Sequence, residues 1–202
     1  EEALGQVRRK IEPMDAVSIL YEMHRSVPAL LGGKNFLTPD HFFPLGLRIY
    51  SDLEEFHIEH IPHQRVREIE ALAEEEIPGP SLRKLQSLSF FYQAFYRRLE
   101  EEDLSSRSLR YHTVSKRMNE VDFGSFRKII FAGFFALTRS EKEIFQSLMK
   151  RENTVFIYQD GPGIKEQLSE LKVVVQSEPA QRGPELYYYQ SPDTHGQVLG
   201  LS

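Results

Sequence analysis

Through most of this chain the apolar residues recur every three or four positions, and near Arg127 that period breaks. From Lys128 the sequence reads KIIFAG, then TRSEKEIFQSLMKR, then TVFIY. Two short apolar runs flanking an amphipathic stretch predict a strand, a helix and a second strand. Strands joined through a helix cross over the sheet, so the pairing is expected to be parallel. The expected fold class is α/β, with a mainly helical region at 1–126 followed by part of a parallel α/β sheet at 127–202.

Within the helical region, Val17, Leu20, Tyr21, Val27, Leu30 and Leu31 share one face of a helix from Pro13 to Leu31, ended by Gly32 and Gly33. Thr38-Pro39-Asp40 is a start signal, a capping hydroxyl with proline at the first helical position. HFFPLGLRIYSDLEEFHI then reads as helix, bent or interrupted near Pro44, and 52–76 as a solvated acidic helix stopped by PGP at 78–80. From Ser81, Leu82, Leu85, Leu88, Phe91, Phe95 and Leu99 line one side of a long helix, and another spans Ser108 to Asn119. Beyond the second strand, a short helix after GPG, strand candidates KVVVQ and ELYYYQ, and a helix begun at Pro192 complete the expected order.

A chain of 202 residues can bury a sizeable core. Its lack of cysteine excludes disulfides and thiolate metal sites. No apolar run approaches the roughly 18 residues of a membrane span, and no signal peptide opens the chain, so a soluble cytoplasmic protein without membrane contact is expected. The net charge of −5 argues against a surface that clamps nucleic acid everywhere, while leaving room for a local basic strip. A start at EEALGQVRRK without methionine and a stop at HGQVLGLS suggest an internal piece of a larger protein.

Four groups of residues could carry chemistry. Gly32-Gly33-Lys34-Asn35 comes nearest to a phosphate-binding loop but lacks its spacing and hydroxyl, and an inter-helix turn is the better reading. His57, His60 and His63, with Glu54, Glu55 and Glu59, have spacings at which a helix could present metal ligands, although Pro62 interrupts it; a solvated acidic helix end is the alternative. His24, His41, His112 and His195 have no partner spacing and read as surface or core residues. Asp160 follows a strand, where α/β proteins place functional groups, and equally suits a tight Asp-Gly-Pro-Gly turn. Arg97, Arg98, Arg107, Arg110, Lys116, Arg117, Arg127 and Lys128, with Tyr96 and Tyr111 among them, could follow a nucleic-acid backbone or belong to a solvated helix pair.

The stretch IIFAGFFALTRSE resembles the second catalytic motif of UvrD-type helicases with its chemistry removed. The two acids fall on Ala132 and Gly133, the aromatic on Phe134, the next two polar positions on Phe135 and Ala136, and the helix-opening polar residue on Glu141. In this the chain is similar to AddB-type helicase-nuclease subunits and relatives grouped as PD-(D/E)XK nuclease family proteins. TVFIYQDGPG resembles the third helicase motif, with Gln159 in place of glycine and Asp160 retained. FFPLGLRIYSDLEEFHIEHIP and FYQAFYRRLEEEDLSSRSLRYHTVSKRM are similar to the family's helical segments, and SPDTHGQVLGL to the approach to its second helicase-like domain. The resemblance covers most of 14–160 and includes neither the phosphate-loop region nor the nuclease domain.

It implies a helical, helicase-accessory-like insertion beside part of a RecA-like parallel sheet. It further implies DNA, the remaining domains of a parent chain and a helicase subunit as partners. The parent would be an ATP-dependent exodeoxyribonuclease in DNA repair and recombination. Hydrolysis of ATP by that fold needs acids to hold magnesium and position water; Ala132 and Gly133 supply none, so no catalysis, cofactor or metal is expected of these residues. Two alternatives stand beside this: a helical module docking a partner subunit through Phe42, Phe43 and Tyr50, and a metal hydrolase built on His57, His60 and His63.

Overall fold

The computed structural model describes residues 4–5, 7–26, 37–73, 88–133, 136–158, 166, 168–169 and 171. The chain divides into two compact units, Glu1–Leu171 and Lys172–Ser202, and the second lies outside the described residues. In the first unit the order is β1 (Arg9–Lys10), α1 (Pro13–Ser26), α2 (Pro39–Ile58), α3 (His63–Ala73), α4 (Leu88–Glu101), β2 (Leu104–Ser105), α5 (Arg107–Arg117), a 3-10 turn (Met118–Glu120), β3 (Ile129–Ala132), α6 (Arg139–Leu148) and β4 (Thr154–Ile157). The fold is mixed α/β and mostly helical, with two parallel two-stranded sheets, β1-β2 and β3-β4.

Periodicity explains the helical core. Ala16, Val17 and Leu20 of α1, Phe42, Gly46, Ile49 and Leu53 of α2, and Phe91, Phe95 and Leu99 of α4 are buried at steps of one, three or four residues. Proline at the first position of α2 needs no N–H partner there, as expected, but the Thr38 hydroxyl does not cap the helix; it meets His41 Nδ1 at 2.7 Å. Nor does Pro44 interrupt α2, which runs unbroken through it. Phe42, two residues earlier, is wedged against Tyr21 and His24 of α1, and this packing holds the helix across the lost hydrogen bond. Phe42 has no exposed surface, while Phe43 and Tyr50 are half-buried against the same core.

Three further expectations change. The acidic segment 52–76 is not one solvated helix, because α2 ends at Ile58, α3 begins at His63, and Leu53, Ile58 and Val66 are buried. The helical region also contains strand: β1 pairs with β2 in the register Arg9↔Leu104. The strand in KIIFAG is half-buried, with Ile130 58% exposed. The helix extensions at 27–31 and 81–87, the segments at 172–202 and residues 32–35 lie outside the described residues.

The strand-helix-strand expectation holds. β3 and β4 are parallel, Ile129 opposite Thr154 and Ala132 opposite Ile157, with α6 between them in sequence. α6 opens on a capping box: Thr138 Oγ1 accepts from the Glu141 N–H, and Glu141 Oε2 accepts from the Thr138 N–H at 2.9 Å. Phe131, Phe145 and Phe156 stack at centroid distances of 4.9 to 5.1 Å and seat α6 on one sheet face. Among the described residues, no helix is long and apolar enough to cross a membrane.

At Gly46 the core leaves no room for a side chain: a Cβ would lie 2.8 Å from Phe42 Cε1 and 2.9 Å from Val17 Cγ1. Gly46→Ala is therefore expected to lower unfolding free energy by about 1–3 kcal/mol despite alanine's better helix propensity. Urea denaturation followed by circular dichroism measures it; a variant as stable as the parent would contradict the close α1-α2 packing.

Candidate functional site

The site begins with the way α2 stops. Ile61 N–H donates to the Phe56 carbonyl at 2.8 Å and His60 N–H to the His57 carbonyl at 3.1 Å, the paired bonds of a Schellman ending. The left-handed position of such an ending usually holds glycine, and here it is His60, with φ of 56°. Pro62 follows and prevents the helix from resuming until His63. His57, His60 and His63 therefore lie on a helix, in a turn and at a new helix start. They do not share one helical face, which corrects the arrangement expected from their spacing.

A second element is delivered by a half-buried carboxylate. Glu54 Oε2 accepts from the Ser108 N–H at 2.9 Å, and its Oε1 accepts from the Ser108 hydroxyl at 2.6 Å, so α2 caps the first turn of α5. Ser106 completes the cap by accepting from Leu109 N–H. The Tyr96 hydroxyl of α4 lies 2.7 Å from Ser108 Oγ and 3.1 Å from the Leu53 carbonyl, tying three helices together. Residues one turn beyond these anchors, His57 on α2 and His112 on α5, are thereby brought face to face.

The result is a histidine trio. His57 Nε2 and His112 Nδ1 are 3.3 Å apart, and the His60 and His112 rings are 4.4 Å apart between centroids. His57 stacks on Tyr96 at 3.9 Å; its Nδ1 is buried without a hydrogen bond of normal geometry, although the nearby Ser108 backbone favours the protonated ring. His60 Nε2 lies 2.9 Å from Ser140 Oγ, and its Nδ1 is 3.2 Å from Glu143 Oε1. Lys116 Nζ reaches the same carboxylate at 3.1 Å. A cleft of about 540 Å³ opens beside the trio, lined also by His63, Tyr92, Arg97 and Glu100.

Burial keeps these imidazoles neutral. It pushes His57 down to about 3, helped by the charge that His112 would carry. His112 is lowered by burial, then by His60 and Lys116; His60 is lowered by burial, then by Lys116 and Arg139, against the pull of Glu143. For Glu143, burial acts upward, but the Lys116 hydrogen bond and the charges of His60 and Lys116 outweigh it and leave the carboxyl below its usual value. Three neutral imidazoles can accept protons or donate lone pairs. Among the described residues, no group of three or more histidines and carboxylates is arranged to hold a metal ion. Glu54 is committed to Ser108, and Glu59 Oε2 accepts from Arg139 N–H at 3.2 Å.

The basic residues are distributed unevenly. Arg97 and Lys116 line the cleft. Arg97 faces Glu101 at 3.9 Å, Arg98 pairs with Glu102 and lies 3.6 Å from Glu22, and Arg117 is held by Glu120. Arg107 covers the Tyr111 ring, and Arg110 has a buried Nε without a hydrogen bond. Arg127 and Lys128 are exposed, and among the described residues no carboxylate pairs with either.

At the degenerate motif, β3 ends in Ala132, and Gly133 follows with φ of +77° in open space. Glu141 serves the helix cap, whereas Phe134, Phe135, Gln159 and Asp160 lie outside the described residues. His24 is buried and stacks on Phe42, and His41 is exposed; His195 lies outside the described residues. His112 is the residue that spacing alone misses, since its partners stand more than 50 positions away; the serine cap ahead of it was the only local signal. No protein-family model matches this chain, and comparison with the curated proteins yields no match.

The lowered histidines fix the sign of the pH dependence. Their folded values lie below the unfolded 6.5, so the unfolded chain binds more protons in acid. The stability they contribute is complete above about pH 6.5 and is lost as pH falls toward 3. Thermal melts are expected to show the midpoint falling through that window, and His57→Asn to show a shallower fall. Equal slopes in the two proteins would contradict the trio's role.

Proposed function

We propose that this chain is a non-catalytic, helicase-like part of a cytoplasmic DNA double-strand-break-processing helicase-nuclease. It acts as scaffold and touches DNA through exposed basic side chains. The observation that carries this reading is the β3-α6-β4 unit, a parallel strand pair with an intervening capped helix whose first strand ends in Ala132-Gly133. In an active helicase of RecA-like fold that strand end presents acids to magnesium and water. Here it presents a methyl group and a glycine in a left-handed conformation that carboxylate-bearing residues adopt only with strain.

The other sheet face supports completion by further domains. Ile130 and Ile157 are both more than half exposed on the side away from Phe131 and Phe156. Parallel sheets are ordinarily covered on both faces, so the remaining domains of a parent chain or a helicase subunit fit as partners. DNA contact is assigned first to Arg127 and Lys128, whose charges are uncommitted, and then to Arg107 and Arg110; Arg98 and Arg117 would first have to leave their carboxylates.

Single-stranded and forked DNA are expected to bind with an affinity that falls as salt rises, without ATP turnover. Changing Arg127 and Lys128 to Glu should lower affinity about 10-fold or more at low salt and flatten the log–log salt slope by about 1 to 2. Unchanged affinity and slope would remove the DNA contact. The family reading is tested separately by the flanking coding sequence: a phosphate-loop strand upstream and an acidic nuclease strand downstream support it, and the absence of both overturns it.

A further inference from the structure

The histidine cleft has a charge balance that the scaffold reading leaves unused. Arg97 and Lys116 line it beside neutral imidazoles and one lining carboxylate, Glu100; Arg97 also faces Glu101 at 3.9 Å, and Lys116 is paired with Glu143 at 3.1 Å. Its two tyrosines offer ring surface more than hydroxyls, since Tyr92 OH donates to the Ile61 carbonyl at 2.7 Å and Tyr96 OH is taken up by Leu53 and Ser108. The polar groups that line the cleft for an occupant are the Arg97 guanidinium, His63, His112 and the Lys116 ammonium, whose three donors are shared with Glu143. Two cations repel a positively charged guest, and forked and point-like donors together suit the oxygens of a compact anion. The volume of about 540 Å³ would admit one nucleotide-sized phosphoester.

We propose that this cleft binds a phosphate group, either of a free phosphoester or of a nucleic-acid backbone, and that binding is coupled to proton uptake by the histidine trio. The inference does not rest on the helicase-like reading. The charged form of the trio is opposed by burial and by cations facing it from several elements. His57, His60 and Glu59 come from the end of α2, and His63 from α3. Tyr92, Tyr96, Arg97 and Glu100 come from α4, His112 and Lys116 from α5, and Arg139 and Glu143 from α6. An anion beside His112 and Lys116 adds a second negative charge to that of Glu143, so the bound protein holds protons that the free protein gives up. His60 is built to keep one: protonated, it donates from Nε2 to Ser140 Oγ and from Nδ1 to Glu143.

The test is calorimetric titration of the 202-residue chain with sulfate, whose charge is the same at pH 6 and pH 8, in two buffers of different ionisation heat. Binding about 10-fold tighter at pH 6 than at pH 8, with a buffer-dependent heat, is the expected result. Arg97→Gln, an exposed position that folding does not require, should weaken binding about 10-fold, and Arg65→Gln on α3 should not. Thymidine monophosphate and an oligothymidylate then separate the sources: the first binding tighter marks a small phosphoester, and the second binding tighter and being displaced by sulfate marks a backbone. No binding at pH 6, or binding indifferent to Arg97→Gln, overturns the site; heats equal in both buffers overturn the proton coupling. None of these outcomes touches Arg127 or Lys128, so the DNA-contact reading stands or falls apart from this one.

Discussion

Both oxygens of Glu54 accept from Ser108, one of them also from the Tyr96 hydroxyl, and the geometry of the molecule's centre follows from that contact. A carboxylate from the C-terminal part of one helix caps the first turn of another, so the register between α2 and α5 is set by charge-assisted hydrogen bonds whose directions admit little sliding. Apolar packing alone would tolerate a shift of the two helices; a fully engaged buried polar network does not. Tyr96 adds α4 to the same point. Everything one turn further along, including the meeting of His57 with His112, is a consequence of that registration.

The joint between the helices and the β3-α6-β4 unit is built differently. Ser140 Oγ donates to the Ile58 carbonyl at 2.8 Å, Arg139 N–H to Glu59, Ser147 Oγ to Asn119 at 2.7 Å, and Arg151 to the Val121 carbonyl at 3.0 Å. The carbonyls left over at the end of α2 are used here, together with the first free N–H groups of α6. Apolar burial dominates inside each part, whereas polar bonding dominates between them. Such a contact fixes orientation while contributing less stabilisation than a comparable apolar surface.

How much of this the sequence revealed depends on the range of each interaction. α1, α2, α4, α5 and the β3-α6-β4 unit follow from local periodicity, and the Thr138 and Glu141 capping box of α6 matches a four-residue signature. The Schellman ending at His60 was obscured because its left-handed residue is not glycine. The trio was obscured for a stronger reason: His57 and His112 stand 55 positions apart, and their meeting depends on Glu54 choosing Ser108. A pattern along the chain records neither choice. The basic strip was legible as composition, yet its carboxylate partners at Glu101, Glu102, Glu120 and Glu143 decide which charges remain available.

The small β1-β2 pair has a consequence in time. Arg9 and Lys10 stand opposite Leu104 and Ser105, Arg9 N–H donates to the Asp103 carbonyl and Ile11 N–H to the Ser105 carbonyl, and Ile11 is a core residue only 3% exposed. During synthesis at about 5–20 residues per second, some 5–20 seconds separate the appearance of the two strands. Until the later one emerges, Ile11 has no partner backbone to hold it in the core, and the edge of β1 is open to other chains. β1 is thus made well before the strand that fastens it.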